Sequence, residues 1–246
     1  MGSLTYIAPD QASSARLRRM PPFSALRPEQ IAALQAAARL ASAEPGTVLP
    51  ATGPAGRVLY VILEGSVALM REVGPEQRCL VDVCDGPCLV GEVALFDDRG
   101  LGVVVEVLQR VMLFELPASA VLRCLRDNTA AQLRMLGYMS GRLKRLIIQI
   151  ANLKLMTGPQ RLAHFLTVLS ERRTGPEAYA AGTVQLPFEK QTLAALLGMT
   201  PESLSRAFRR LDALGVRNLA GGEIKIPDVE LLRQFAEPDV ATSSDG

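Results

Sequence analysis

Residues 186–218 read LPFEKQTLAALLGMTPESLSRAFRRLDALGVRN and predict two short helices joined by a tight turn. Leu193 and Leu197 belong to the apolar face of the first helix. Gly198 ends that helix, because glycine adopts the left-handed backbone angles that a helix exit needs. Thr200 then stands where a capping hydroxyl is favoured, and Pro201 takes the first helical position, where its missing N–H costs nothing.

The second of these helices has a core side and a polar side. Leu204, Phe208 and Leu211 recur with helical spacing and should face the core, whereas Glu202, Ser205 and Arg206 share the exposed first turn. Glutamate can accept from cytosine N4, and arginine can donate twice to guanine O6 and N7, so this polar side fits the DNA major groove. The alternative is a solvated helix start with ordinary capping and ion pairs.

Basic residues surround this helix although the chain as a whole is nearly neutral. The formal net charge of +2 is too small to indicate nucleic-acid binding. Arg206, Arg209, Arg210 and Arg217 nevertheless cluster in the same stretch and are enough for a few phosphate contacts.

Length and composition describe a globular protein of one large or two ordinary domains. The chain has 246 residues, 48% of them hydrophobic and 21% charged, which excludes a disordered protein. We find neither an apolar run long enough for a membrane span nor a signal-peptide core. Four cysteines do not indicate a secreted disulfide scaffold in a chain of this size, so a reducing cytoplasm is the expected location.

The first half of the chain predicts a sheet-rich domain. Residues 1–20 are polar and small and indicate a flexible arm, and residues 27–42 indicate an amphipathic helix. Short β-rich runs at 57–65, 66–73, 78–86, 88–96 and 103–117 follow, separated by turn residues. Such a series is typical of an antiparallel barrel or roll. We therefore predict a β-roll sensor domain over residues 21–117.

Residues 118–156 predict a long dimerisation helix. Its apolar residues alternate between spacings of three and four, which is the seam of a coiled coil: Leu136, Met139, Leu143, Leu146, Ile150 and Leu153. A narrow stripe of this kind calls for a parallel helix from a second copy, which predicts a homodimer. The stripe could also pack on its own β-roll, because Met135, Ile147 and Ile148 widen the apolar surface.

The remaining residues predict a winged helix–turn–helix domain over 157–238. Thr157-Gly158-Pro159 interrupts the long helix and indicates a hinge, after which residues 160–173 form another helix. Residues 218–226, NLAGGEIKI, indicate a two-stranded wing that turns at Gly221-Gly222. The last residues, 239–246, indicate a disordered tail. The predicted fold class is α+β.

This order of elements resembles the CRP/FNR family of bacterial transcription regulators over residues 20–236. The motifs that carry the resemblance are GEVALF at 91–96, PQRLAHFL at 159–166 and TPESLSRAFRRL at 200–211. The FNR branch carries Glu, Ser and Arg at the places of Glu202, Ser205 and Arg206, which implies a palindrome with TTGAT-like half-sites. The resemblance also implies phosphate contacts from Gln191, Thr200 and Ser203, and RNA polymerase as a partner if the protein is an activator.

The roll of this family often holds cyclic AMP, but this sequence argues against it. Glu92 matches the acid that binds the ribose, yet the Arg-Ser/Thr pair for the cyclic phosphate falls near 101–103, where no arginine stands; Arg99 is too early. The adenine contacts fall on Leu146-Ile147, which cannot hydrogen-bond a base. A buried phosphate without a cation would cost several kcal/mol. Glu92 is therefore expected to be a structural residue of its turn.

Other signals remain open, and the cysteines are the first candidates. Cys79, Cys84, Cys88 and Cys124 could ligate an iron–sulfur cluster or zinc, or two of them could form a redox-responsive disulfide. Cys84 and Cys88 flank a turn and are the nearer neighbours, but cysteine is also a common buried hydrophobe. Haem would need a cysteine, methionine or amine ligand, because the single histidine, His164, is expected to pack within a helix.

Two other classes of protein are disfavoured by the sequence. We find no glycine-rich phosphate loop, metal-spaced histidine pair or catalytic triad, so an enzyme is not predicted. A cyclic-nucleotide-responsive binding protein of the CRP type is the alternative, but a pure ligand-binding module would leave the helix–turn–helix without a role. A signal in the roll is expected to act by shifting how two long helices meet.

Overall fold

A computed structural model describes residues 3–54, 56–74, 77–97, 102–174 and 182–238. The chain divides into two compact units, Met1–Leu143 and Lys144–Gly246. The predicted tail at 239–246 lies outside the described residues.

The first unit is built from a sheet with helices before and after it. Its elements are β1 (Thr5–Ile7), α1 (Gln11–Arg19), α2 (Pro28–Ala37), β2 (Arg39–Ala43), β3 (Val48–Leu49), β4 (Thr52–Gly53), β5 (Gly56–Gly74), β6 (Gln77–Asp85), β7 (Cys88–Val90), β8 (Val104–Pro117), α3 (Ala118–Arg126) and most of α4 (Thr129–Leu155). All strand pairs are antiparallel; β5 and β8 form the centre, and β6 and β7 both pair with β5. This arrangement confirms the predicted antiparallel roll.

The predicted division of strands is wrong at Gly65. The runs 57–65 and 66–73 form one strand, β5. Its pairing with β8 shifts register between Ile62 and Val67, as at a β-bulge, and then continues. Gly65 has a φ of +81°, and a Cβ there would overlap the carbonyl oxygen of Arg110. The glycine thus permits a close strand approach and does not mark a turn.

The prediction of a flexible arm over residues 1–20 is also wrong for the part of it that the structure describes. β1 pairs with β2, and α1 begins with a capping box in which Asp10 accepts from the backbone N–H of Ser13 at 2.7 Å. Leu17 is fully buried in the same hydrophobic cluster as Phe23 and Leu34. Burial of Leu17 against Phe23 and Leu34 stabilises the segment although most of its residues are polar.

Two further boundaries differ from the prediction. The helix expected over 27–42 ends at Ala37, because Arg39–Ala43 instead joins β8 as strand β2. The run 88–96 is a strand only as far as Val90. Gly91 then adopts a φ of +90°, which ends the strand, and Glu92–Leu95 form a 3-10 turn.

The single helix predicted over 118–156 is two helices, α3 and α4. The break falls at Asn128, whose Oδ1 accepts from the backbone N–H of Ala131 at 3.0 Å and so caps α4. Its Nδ2 donates to the carbonyl of Ala25 and to Gln30. These long-range bonds satisfy a buried amide and fix the position of the break.

The second unit contains the last part of α4 and a small mixed domain. Its elements are α5 (Gly158–Thr174), β9 (Gly182–Gln185), α6 (Lys190–Leu196), α7 (Pro201–Leu211), β10 (Arg217–Asn218), β11 (Glu223–Ile226) and α8 (Val229–Ala236). The wing is confirmed as the hairpin of β10 and β11, and β9 adds a third strand that we did not predict. Among the described residues, no helix is long and apolar enough to span a membrane.

Candidate nucleic-acid interface and sensor cavity

The helix α7 presents a polar side to solvent and an apolar side to the core, as its spacing predicts. Leu204, Phe208 and Leu211 are buried in the core of the second unit. Glu202, Ser205 and Arg206 are exposed together in the first two turns. Gly198 has a φ of +62°, which confirms its place at the exit of α6.

The start of α7 is fixed by hydrogen bonds among its own polar residues. Thr200 Oγ1 accepts from the backbone N–H of Ser203 at 3.2 Å, and Arg206 Nη2 donates to Ser203 Oγ at 2.8 Å. The backbone N–H of Glu202 and the Thr200 hydroxyl hold the pKa of the Glu202 carboxyl below its usual range. Arg206 is thus held by Ser203 at the exposed start of α7.

The other predicted DNA-contacting residues lie on the exposed surface of the same domain. Gln191 is exposed in the first turn of α6, and Arg209 is exposed on α7. Thr200 and Ser203 are engaged in the cap of α7, so their hydroxyls already have protein partners. Gln191 and Arg209 are therefore the members of this set with exposed donors of the kind that contact a phosphate backbone.

The helix–turn–helix is anchored to α5 by one arginine. Arg161 Nε donates to the carbonyl of Leu197 at 2.8 Å, and its Nη1 donates to the carbonyl of Met156 at 2.7 Å. One guanidinium thus satisfies backbone acceptors at the ends of α4 and α6, where carbonyls lack helical partners. The sequence reasoning missed this role.

The apolar seam of α4 is largely uncovered. Leu136, Leu143, Ile150 and Leu153 are exposed, with Leu143 at 59%, whereas Met139 and Leu146 are half-buried. Met135 and Met139 instead pack into the core of the roll. Of the residues that widen the stripe, Met135 lies against the roll, whereas Ile147 and Ile148 are exposed, so the described residues of the roll cover only part of the stripe.

The roll contains a small apolar cavity. It has a volume of about 220 Å³, and its described lining residues are Leu49, Pro50, Ala51, Val58, Tyr60, Leu69, Val90, Gly91, Glu92, Val93, Ala94, Gly102, Val103, Val105 and Arg142. Glu92 and Arg142 are the charged members of this set. The volume lies below the roughly 300–1,000 Å³ that is usual for small-molecule pockets.

Arg142 of α4 reaches into the roll and binds Glu92. Its Nη1 donates to Glu92 Oε1 at 2.6 Å and to the carbonyl of Leu89 at 3.2 Å. Asp82 lies 3.8 Å from Nη2. Burial alone would lower the pKa of Arg142, but the charges of Cys84, Glu92 and Asp82 outweigh it and raise the pKa. Four turns before the end of the helix, α4 is thus tied to β7 and to the turn after it.

The four cysteines lie in different surroundings. Cys79 is exposed on β6, and Cys124 is buried on α3 with its thiol directed at the carbonyl of Gln30. Cys84 is buried near the end of β6 and donates to Asp82 Oδ2 at 3.9 Å, and Cys88, at the start of β7, packs against the same hydrophobic cluster as Cys84. Within the described part of the chain, no group of three or more His, Cys, Asp or Glu residues is arranged to hold a metal ion.

Comparisons with known proteins agree with this architecture. Residues 160–235 match the Crp-like helix-turn-helix domain, and residues 40–128 match the cyclic nucleotide-binding domain. A candidate cyclic nucleotide binding protein from Ruegeria pomeroyi has a solved structure that is 30% identical, with 93% of this chain and 99% of that chain covered and a TM-score of 0.63. The chain belongs to the CRP/FNR family.

The curated relatives in the CRP/FNR family include regulators whose names refer to different signals or pathways. The CRP-like cAMP-activated global transcriptional regulator of Mycobacterium tuberculosis is 24% identical over 214 residues, which is 87% of this chain and 95% of that protein. The fumarate nitrate reduction regulatory protein of Klebsiella oxytoca is 27% identical over 196 residues, which is 78% of this chain and 76% of that protein.

The described residues that line the cavity of this CRP/FNR roll offer no unoccupied cation to a cyclic phosphate. Of the described residues that line the cavity, Arg142 is the one cation, and Glu92, Asp82 and the Leu89 carbonyl already occupy its guanidinium. Gly102 and Val103 stand at the predicted phosphate position; Arg99 and Leu101 lie outside the described residues. A cyclic phosphate would have to break a buried ion pair, which costs several kcal/mol.

We therefore expect cyclic AMP to leave the protein unaffected. Titration calorimetry with cyclic AMP should give no saturable heat, and the thermal midpoint of unfolding should not rise at millimolar nucleotide, because ligand binding to the folded state would raise it. A dissociation constant in the micromolar range would contradict this reading of the cavity.

The buried contact of Arg142 with Glu92 is not predicted by the spacing of the apolar seam. Tyr138 lies one turn earlier, and its hydroxyl accepts from the backbone N–H of Leu89 at 2.8 Å. Met135, Tyr138 and Arg142 are spaced by three and four residues, so they form a second helix face. That spacing is the sequence signal for this face of the helix.

Proposed function

We propose that the chain is a homodimeric, sequence-specific DNA-binding transcription regulator rather than an enzyme. It binds double-stranded DNA that carries a palindrome of FNR type with TTGAT-like half-sites. Its signal is a redox change, a gas or a small molecule other than cyclic AMP. Its location is the cytoplasm, and RNA polymerase is a partner if binding activates transcription.

The observation that carries this proposal is the exposed side of α7. Glu202, Ser205 and Arg206 stand at the three places that match the FNR branch, and each is open to solvent while the opposite side is packed. An arginine in this setting donates to guanine, and a TTGAT-like half-site offers one guanine. The match to the Klebsiella regulator supports the branch, since its name refers to the same group.

The open seam of α4 supports the homodimer. Leu136 continues into an apolar groove with Phe96, Leu122 and Met139 in the first unit. A row of exposed leucines and isoleucines at coiled-coil spacing is buried when a second copy supplies the facing helix. Twofold symmetry then places two reading helices about one DNA turn apart, which a palindrome requires.

Replacing Arg206 tests the reading of bases. Arg206→Ala should weaken binding to a labelled TTGAT palindrome by about 1–3 kcal/mol and relax the preference for guanine at its position. Fluorescence anisotropy at fixed salt, on the palindrome and on a copy with the guanine replaced, measures both effects. The intact protein should lose affinity on the altered DNA, whereas the variant should not discriminate.

Arg209→Ala is the matched control, since Arg209 is an exposed arginine on the same helix that we assign to phosphate. It should weaken binding to both DNAs equally and lower the salt dependence. If Arg206→Ala keeps the full preference for guanine, the assignment of Arg206 to base contact is refuted.

The alternative is a cyclic-nucleotide-responsive regulator of the CRP type. The match of residues 40–128 and the name of the Mycobacterium relative favour it. The occupied guanidinium of Arg142 opposes it. An operator affinity that rises with cyclic AMP would decide for the alternative.

A further inference from the structure

The short connection between α4 and α5 is crossed by hydrogen bonds. The backbone N–H and the hydroxyl of Thr157 both donate to Gln160 Oε1, at 2.9 and 2.8 Å. Gln160 is buried, and its Nε2 donates to the carbonyl of Glu237 after α8 at 2.9 Å. The residues that interrupt the helix, which the sequence indicates as a hinge, are therefore held in place by side chains of the second unit.

Arg161 extends this connection to the helix–turn–helix. Its Nε donates to the carbonyl of Leu197, the residue that follows α6, and its Nη1 donates to the carbonyl of Met156, the residue that follows α4. The donors of a guanidinium are fixed relative to one another in a plane, whereas an ammonium is a point charge on a flexible stem. Arg161 therefore fixes the end of α6 relative to the end of α4.

Close packing reinforces the same joint. A Cβ at Gly198 would lie 3.0 Å from Leu153 Cδ2, so a side chain from the seam of α4 lies directly against the turn between α6 and α7. A Cβ at Gly158 would lie 2.9 Å from Met199 Sδ, so the same turn also reaches the start of α5. Packed side chains transmit a displacement to their neighbours, so these contacts leave the turn little freedom relative to the end of α4.

We infer that Arg161 is a positioning residue that selects the spacing between the two half-sites of the operator. This inference rests on the proposed function, since it needs two copies of the chain on one palindrome. The seam residues Ile150 and Leu153 set where the two α4 helices meet, and Arg161 passes that geometry to α6 and so to the reading helix α7. A signal then acts by moving the ends of α4 together with the reading helices, and not by bending the connection at 157–159.

The spacing of the half-sites is a sharp probe of this joint. One base pair added between them moves them apart by about 3.4 Å and rotates one relative to the other by about 34–36°. A fixed joint cannot follow this change, so one reading helix leaves its groove and the gain from binding two half-sites at once is lost. A loose joint lets each α7 follow its own half-site.

The test measures DNA binding by the whole chain across a spacing series. Fluorescence anisotropy at fixed salt uses palindromes of TTGAT-like half-sites whose central spacer changes in steps of one base pair, together with DNA that carries a single half-site. The intact protein should prefer its best spacing over both neighbouring spacings by about tenfold or more. Arg161→Met keeps the length of the side chain but removes its donors. In this variant the preference should fall to about twofold or less, whereas affinity for the single half-site should change by no more than about twofold.

Arg233→Met is the matched control. Arg233 joins α5 to α8 by donating to Glu171 and Glu230 at 2.7 and 2.8 Å, and these bonds involve neither α4 nor α6. Its replacement should leave the spacing preference unchanged, although it also removes ion pairs from the same unit. Arg161→Lys keeps the charge and should keep part of the preference. It carries the test if circular dichroism shows that Arg161→Met does not fold.

A measurement without DNA separates this inference from the proposed function. Nitroxide labels on Ser205→Cys, in a chain that also carries Cys79→Ser, give the distance between the two reading helices of a dimer by double electron–electron resonance. The distance distribution should be narrow with Arg161 present and broader in Arg161→Met.

Two results overturn the role of Arg161: a full spacing preference in the folded variant, or a distance distribution that stays narrow in it. A distribution that broadens in the variant, combined with no binding to any palindrome of the series, supports the joint and overturns the proposed DNA target. A chain that stays monomeric overturns both.

Discussion

Leu143→Glu should convert the protein into a monomer and abolish operator binding at nanomolar concentration. Leu143 is 59% exposed in the isolated chain, so the folded monomer tolerates a carboxylate there. In the proposed dimer the substitution occurs in both protomers, so its effect on the dimerisation free energy is doubled. Two leucine contacts of about 1.5–3 kcal/mol each are lost, and two carboxylates lose hydration. The dimer should weaken by at least about 3 kcal/mol, which is roughly 150-fold in the dissociation constant.

Sedimentation velocity over a concentration series measures this change, and circular dichroism checks that the helix content is retained. Lys144→Glu places the same carboxylate on the neighbouring exposed residue, which lies off the seam. It should remain dimeric. A Leu143→Glu variant that stays dimeric and binds its operator would refute the seam as the interface.

Arg142→Met should lower the free energy of unfolding by about 3–5 kcal/mol. The side chains of Arg142 and Glu92 are only 12% and 6% exposed. Removing the guanidinium leaves a buried carboxylate without its partner. The resulting loss of stability is much larger than the stability that an ion pair contributes at the surface. Chemical denaturation of the roll measures the loss.

The control for this variant is Arg16→Met, which breaks an ion pair with Glu64 that is about half exposed. It should cost at most about 1 kcal/mol. Combining Arg142→Met with Glu92→Gln should recover part of the stability, because the uncompensated charge is then gone. Equal losses in Arg142→Met and Arg16→Met would contradict the buried network.

The helix–turn–helix was predictable because its determinants are local. Gly198, Thr200 and Pro201 specify the turn and the cap within four residues, and the spacing of Leu204 and Phe208 orients the helix. The β-roll was predictable as a class for the same reason: its strands are short, apolar and separated by turn residues. Neither prediction required knowledge of distant contacts.

The predictions of secondary structure were wrong where a distant contact overrides a local sequence pattern. Asn128 interrupts a helical stretch because its amide bonds to residues about a hundred positions earlier. Arg142 binds Glu92, which lies fifty positions earlier, so the residues beside Arg142 in the sequence do not indicate its partner. A single glycine usually marks a turn, but at Gly65 the partner strand sets its role.

The N-terminal segment also has a practical consequence for work with the first unit alone. Leu17, Met20 and Phe23 fill the cluster that also receives Leu116 and Met135. A shortened protein that starts after residue 23 would expose this hydrophobic surface to solvent. We expect such a protein to aggregate. A shortened protein made to isolate the first unit should therefore keep these first residues.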